Sequence, residues 1–298
     1  MNWAPFVMTR GGFHPVVDRE LLERSYPDFP LDVWMISSAS DLLGWEKMRE
    51  RYRIADASAV PCDVFVWGTG EPPDPRLTRI GGVPFLPKSI PWPVIEGETT
   101  TFLCQFDFRD SRDLRGQRAG GRLPGDLLLV FVDSEDAALE GDEEGMRFVW
   151  VSADETDTIS ASDVPPPADP FEFVTAWGAR YRSEDVPSMW ERAYAIPDDA
   201  AGGRCWSLPV LWGTKIGGVP YDSQQNRHEV PTDYLCQLTS VQASRTAWPW
   251  VDREEAYGDS FGEDGIHGSK NCFMIGDMGE LTLYLQRDGS VTVESACG

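Results

Sequence analysis

The residues with the most chemistry to offer occur in matched pairs. Arg79 and Lys215 are cations in one local frame, and Gln105 and Gln237 are amides in another. Each cation stands two residues before adjacent glycines, Gly81–Gly82 and Gly217–Gly218. Brought together between two halves of the protein, two cations and two amides would bind a small anionic or amide-bearing ligand. The structural reading of the same residues is that each glutamine satisfies the turn backbone of its own half while each cation pairs with a nearby carboxylate. Identical roles in two places favour that reading, because a structural solution is copied whole by duplication. Trp92, held between Pro91 and Pro93, is a rigid aromatic that either seals the core or anchors a partner.

Other chemistries find little support. There are three histidines, His14, His228 and His267, and no H-x-x-x-H or H-E-x-x-H spacing among them. The glycine pairs do not match phosphate-cradling loops, which need G-x-G-x-x-G or G-x-x-x-x-G-K-[ST] between a strand and a helix. Six cysteines are scattered without a C-x-x-C pair, which argues against a zinc knuckle or a dithiol redox motif. A cysteine–histidine nucleophile from Cys272 or Cys236 with His267 and Asn271 has no local signature to support it. The acidic stretch from Asp252 to Asp264 lacks the ligand order of a calcium loop. No catalytic residue, metal ligand or cofactor is therefore assigned, and a non-enzymatic protein is expected.

The elements that position the paired residues are themselves repeated. Thr78-Arg79-Ile80-Gly81-Gly82-Val83-Pro84-Phe85 is followed by Phe102-Leu103-Cys104-Gln105-Phe106. Thr214-Lys215-Ile216-Gly217-Gly218-Val219-Pro220-Tyr221 is followed by Tyr234-Leu235-Cys236-Gln237-Leu238. Two glycines permit positive φ and the proline removes a donor, so each first segment is a shaped turn. Each aromatic-Leu-Cys-Gln run is short, apolar and bounded by turns, which predicts a buried strand with Cys104 and Cys236 as reduced core thiols. A strand over 62–68 precedes the first turn, with Leu208–Gly213 as its expected counterpart. Gly125-Asp126-Leu127 and Gly279-Glu280-Leu281 open a further matching pair of strands.

This combination, with Pro91-Trp92-Pro93 and Leu123-Pro124-Gly125-Asp126-Leu127, resembles the YwqG-like family of uncharacterised bacterial proteins from about Trp67 onward. The resemblance implies a two-fold repeat of mixed α and β structure with no established reaction, cofactor or catalytic residue. The second copy lacks the Trp-Pro element and carries Asn226-Arg227-His228-Glu229 in that interval, so a symmetric site would have inequivalent halves.

The expected class is α+β, mainly antiparallel β, an internal duplication with a few peripheral helices. Residues 1–60 form an N-terminal helical or irregular segment, with helices over 18–24 and 41–52. Residues 61–151 are the first half, with a flexible acidic loop over 134–144 and a strand over 146–151. Residues 152–204 form an acidic, proline-rich connection with a strand over 172–181 and a helix over 188–194. Residues 205–298 are the second half.

With 26 Lys and Arg against 49 Asp and Glu, the net charge is −23. That balance excludes nucleic acid and anionic membrane as usual partners. No leader or membrane-length apolar run is evident, so a cytoplasmic protein is expected. Two functions stay open. One is a binding or interaction protein, in a specific version an immunity-type protein capping a basic partner. The other is a small-molecule-binding or hydrolytic domain with its site between the halves.

Overall fold

The computed structural model describes residues 6–9, 12–15, 59–69, 72–114, 123–171, 173, 175–186, 210, 213–221, 233–242, 272–276 and 279–296. Strands β1 (Phe6–Thr9) and β2 (Gly12–Pro15) form a small hairpin. The first repeat supplies β3 (Val60–Thr69), β4 (Arg79–Ile80), the hairpin β5 (Val94–Ile95) and β6 (Glu98–Thr99), β7 (Thr101–Asp107), β8 (Leu127–Val132), helix α1 (Glu135–Glu140) and β9 (Met146–Val151). The second supplies β10 (Ala176–Asp185), β11 (Lys215–Gly217), β12 (Tyr234–Thr239), the pair β13 (Val241–Gln242) and β14 (Cys272–Phe273), β15 (Glu280–Leu285) and β16 (Val291–Ala296).

Ten strands make one sheet in the order β16-β15-β12-β11-β3-β10-β4-β7-β8-β9, antiparallel throughout. The order reads as two equivalent series meeting at β3 and β10. The leading strand of each repeat is exchanged: β3 pairs with β11 of the second repeat, and β10 pairs with β4 of the first. The counterpart of β3 is therefore β10. Leu208–Gly213, assigned that role from local similarity, falls mostly outside the described residues. The strand expected over 172–181 is displaced to Ala176–Asp185.

The aromatic-Leu-Cys motif encodes a bulge. The register of β7 on β8 shifts between Phe102 and Cys104, and that of β12 on β15 shifts between Tyr234 and Cys236. In a regular strand neighbouring residues face opposite sides; the extra residue of a bulge breaks that alternation. Leu103 with Cys104, and Leu235 with Cys236, consequently enter one core cluster, while Gln105 and Gln237 are left facing the other side. Burial pushes the Cys104 thiol far above its ordinary value.

The sheet curls into a nearly closed barrel. Ser295 Oγ on β16 donates to Glu140 O at the end of α1, and a Cβ on Gly141 would stand 2.8 Å from the Ser295 Cβ. The main core lies inside the curl and joins both repeats, from Leu128 and Val130 on β8 to Leu281 and Leu283 on β15. Outside, the segment after the first turn lays Phe85, Leu86 and Trp92 against Phe102, Phe131 and Val151.

The α+β expectation is corrected to antiparallel β. Among the described residues, helix amounts to the six-residue α1 and the 3-10 turns Arg112–Leu114 and Ala161–Asp163. The reason is that among the described residues the apolar side chains of both repeats are committed to long-range strand pairing, and the helical contribution to the core is limited to Ala137 and Ala138 of α1. The helices expected over 18–24, 41–52 and 188–194 lie outside the described residues. Within the acidic stretch 134–144, read as a flexible loop, α1 is capped by Ser134, whose side chain accepts the Ala137 N–H, and ends on Gly141 at φ 70°.

Candidate functional site

Both glycine pairs adopt left-handed backbone, with φ 63° and 72° at Gly81 and Gly82, and 70° and 71° at Gly217 and Gly218. Each turn is held by its glutamine. Gln105 Oε1 accepts the Phe85 N–H at 3.0 Å, and Nε2 donates to Pro75 O and Leu77 O, both at 2.8 Å. Gln237 Oε1 accepts the Tyr221 N–H at 2.9 Å, and Nε2 donates to Tyr221 O at 2.8 Å.

The cations differ more. Buried Arg79 donates through Nε to Gly81 O at 3.0 Å, and its Nη2 lies 2.1 Å from where a Cβ on Gly82 would stand. Lys215, also buried, donates through Nζ to Asp185 Oδ2 at 3.0 Å, and that oxygen takes the Val219 N–H at 2.8 Å. Only a residue without a side chain fits over either charged group.

Arg79 faces Gln105 across one ladder, and Lys215 faces Gln237 across another. The two sets share a sheet face, because Arg79 is opposite Trp177, Trp177 opposite Gly68, and Lys215 opposite Val64. Strands β10 and β3 lie between them, three strand spacings or about 14 Å across the sheet, and the offset from Gly68 to Val64 adds about 13 Å along it. The structure thus joins each cation to its own glutamine and does not join the halves' sets to each other.

Trp92 is placed differently from the other four. It lines a cleft of about 300 Å³ beside the first turn, with Gly81, Gly82, Phe102, Pro165 and Phe173 among its walls. Trp92 Nε1 donates to Thr100 O at 3.0 Å, and its ring meets Phe131 edge-on at 5.2 Å. The proline-rich connection forms the opposite wall and is tied down by main-chain bonds from Lys88 to Asp157, from Ile159 to Leu86 and from Ala168 to Thr99.

A family model for a domain of unknown function, DUF1963, matches residues 78–257. The chain belongs to this family. The match opens on Thr78, the first residue of the first Gly-Gly motif, and takes in both Gly-Gly turns and both glutamine strands. No curated protein matches the chain. The DUF1963 match stops short of β3, β15 and β16, although β3 bridges β10 and β11 at the centre of the sheet.

One charged constellation of this DUF1963 protein escaped the sequence reading. Asp63, fully buried on β3, accepts from Ser111 Oγ at 2.6 Å, from Arg182 Nε at 2.6 Å and from Arg180 Nη1 at 3.3 Å. Arg182 continues to Asp113, Arg180 to Asp107 O, and Arg109 binds both Asp107 and Asp74. The available signal was charge inside apolar strands, since a buried Asp in Cys62-Asp63-Val64-Phe65 requires a partner.

The network carries a pH prediction. Burial opposes ionisation of Asp74, but the Arg76 N–H and the side chains of Arg109 and Arg76 outweigh it and hold the carboxyl below its usual value. Arg182 likewise holds Asp113 down. A depressed carboxylate stabilises the folded state above its unfolded pKa of about 4, and that contribution is lost as pH falls toward the folded value. The urea midpoint is expected to drop between about pH 5 and pH 3, with a shallower drop in Asp74→Asn. An unchanged pH profile in that variant would remove Asp74 from the account.

Among the described residues no cluster of three or more His, Cys, Asp or Glu is arranged to hold a metal ion, and no helix is long and apolar enough to cross a membrane. His228, His267 and the acidic stretch 252–264 lie outside the described residues.

Proposed function

We propose that this DUF1963 protein is a non-enzymatic, cytoplasmic binding protein whose ligand seat is the cleft beside the first Gly-Gly turn, and that its partner is a basic polypeptide. The observation that carries the reading is the make-up of the cleft: aromatic and proline walls, exposed turn backbone, and an acidic border. Between 154 and 169 the wall segment carries Asp154, Glu155, Asp157, Asp163 and Asp169 and no Lys or Arg. Several cations are consumed internally, Lys215 by Asp185 and Arg180 and Arg182 by Asp63. A basic surface would be steered to such a face and anchored by an apolar side chain in the cleft. An immunity-type protein capping a basic toxin would use this arrangement. Membership among YwqG-like proteins belongs to the same proposal, since the Pro91-Trp92-Pro93 element that carries the resemblance supplies Trp92 to the cleft.

The test is capture on immobilised protein at low salt, comparing wild type with a folded Trp92→Ala variant. A basic protein held by wild type, released by salt and lost from the variant is the expected result. Equal retention by the variant would remove the cleft as the seat, and retention insensitive to salt would remove the electrostatic part.

A further inference from the structure

We infer that the outer edge of β9 is a second docking surface, where an extended, basic-flanked segment of a partner polypeptide adds itself to the sheet as a strand. The inference shares the basic partner with the cleft reading and uses a different surface. Strands β9 and β16 are the two ends of the ten-strand sheet. They approach each other at both extremities. Ser295, near the end of β16, bonds to Glu140 at the end of α1. In the turn before β16, a Cβ on Gly289 would stand 3.3 Å from the Pro124 Cγ, and a Cβ on the next residue, Gly125, would stand 2.7 Å from Val151 O at the end of β9. Between these two points the strands share no ladder, so the barrel is left with a seam bordered by two sheet edges.

The ladders fix which main-chain groups face the seam. The Asp133 N–H donates to Gly145 O at 3.0 Å, and the β8–β9 register continues from that pair without a shift. Bonded pairs alternate along an antiparallel ladder, so Arg147, Val149 and Val151 turn their main chain toward β8, while Phe148 and Trp150 turn theirs outward. Likewise the Gln286 N–H donates to Ser290 O at 2.9 Å, which directs the main chain of Val291, Val293 and Ser295 away from β15.

An edge of this kind is a template for another strand, and proteins blunt such edges with Pro, Lys or a bulge. Strand β9 contains no Pro or Lys and pairs with β8 without a bulge. Its one charged side chain, Arg147, folds back onto Met146 O at 2.7 Å and Glu144 O at 3.2 Å. Charge decides the occupant. Exposed Asp142, Glu143 and Glu144 precede the strand, and exposed Asp154 and Glu155 follow it. Two copies paired antiparallel about the middle of β9 would set Glu143 against Asp154 and Asp142 against Glu155, which disfavours a second copy. A segment with Lys or Arg beside its strand meets the same acids as ion-pair partners. Its main chain would supply affinity through the seam-facing groups of Phe148 and Trp150, as in other cases of strand addition.

The experiment titrates the full chain, at low salt, with acetyl-Lys-Lys-Thr-Val-Thr-Val-Thr-amide, with versions N-methylated at both valines or at all three threonines, and with a Glu-Glu counterpart. The lysine peptide is expected to bind, at least one N-methylated version to lose binding, and the glutamate peptide to bind at least about tenfold more weakly. Combining Glu143→Lys with Glu144→Lys, at two exposed positions, should weaken the lysine peptide, and Trp92→Ala should leave its binding unchanged. No binding of the lysine peptide, or binding of both N-methylated versions as tight as that of the parent, overturns strand addition. Equal binding of the glutamate peptide overturns the basic occupant, as does unchanged binding in the double variant. Loss of binding in Trp92→Ala would place the peptide in the cleft and overturn the β9 assignment, whereas the capture experiment above judges the cleft on its own. A concentration-dependent dimer that the lysine peptide dissociates would make a second copy the occupant and overturn the inference.

Discussion

Replacing Lys215 with methionine is expected to destabilise the domain by about 3–5 kcal/mol, the usual cost of stripping one partner from a buried ion pair. Both members are fully buried, and their bond at 3.0 Å lies on the covered face of the sheet. Methionine fills the volume but leaves the Asp185 charge without its ammonium in a region where water does not compensate. Since whole domains are stable by only about 5–15 kcal/mol, the urea midpoint should fall steeply. The double variant Lys215→Met with Asp185→Leu should lie closer to wild type than Lys215→Met alone, because removing both charges abolishes the uncompensated one. A single variant within about 1 kcal/mol of wild type, the range of an exposed pair, would contradict the burial of this pair.

Gly218→Ala is the second large effect. At φ 71° an alanine there adopts left-handed backbone, costing about 1–2 kcal/mol. Its Cβ would also stand 2.2 Å from Asp185 Oδ2 and 2.8 Å from the Cys62 Cβ, so the carboxylate must leave its bonds to Val219 and Lys215. The combined loss is expected to exceed about 3 kcal/mol. Gly97→Ala is the control, with φ 91° and no atom within 4 Å of the added Cβ, so it reports backbone strain alone. If the two variants unfold at the same denaturant concentration, the collision at Asp185 has no energetic weight.

What was legible beforehand followed from how local each signal is. The Gly-Gly-x-Pro turns and the aromatic-Leu-Cys-Gln strands carry their physics within a few residues, as positive φ and a bulge, so the duplication was evident. Partner choice between strands leaves no such mark. Val60–Thr69 and Ala176–Asp185 show little mutual similarity, yet they are equivalent, and the exchange between repeats rests on register alone. The mixed class was inferred from apolar stripes in flanking segments, whereas the described chain puts its apolar residues into strand pairs. The Asp63 network joins residues 117 and 119 apart in sequence, which no spacing rule reaches. At the site, Trp92 was singled out for rigidity, but its place beside the turn depends on the connection folding back through Ala168 and Ile159.

The exchange of leading strands also governs the order in which this protein is completed during synthesis. Strand β3 leaves the ribosome well before either of its neighbours, and β4 waits for β10 to cover its free edge. A nascent chain that has reached only β9 holds four strands, β4, β7, β8 and β9, with β4 uncovered and β3 unpaired. Closure depends on contacts of long sequence separation, the kind that slows folding and lengthens exposure of strand edges. Chaperone demand should therefore be greatest in the interval between synthesis of β3 and synthesis of β11, and should end once both leading strands have crossed.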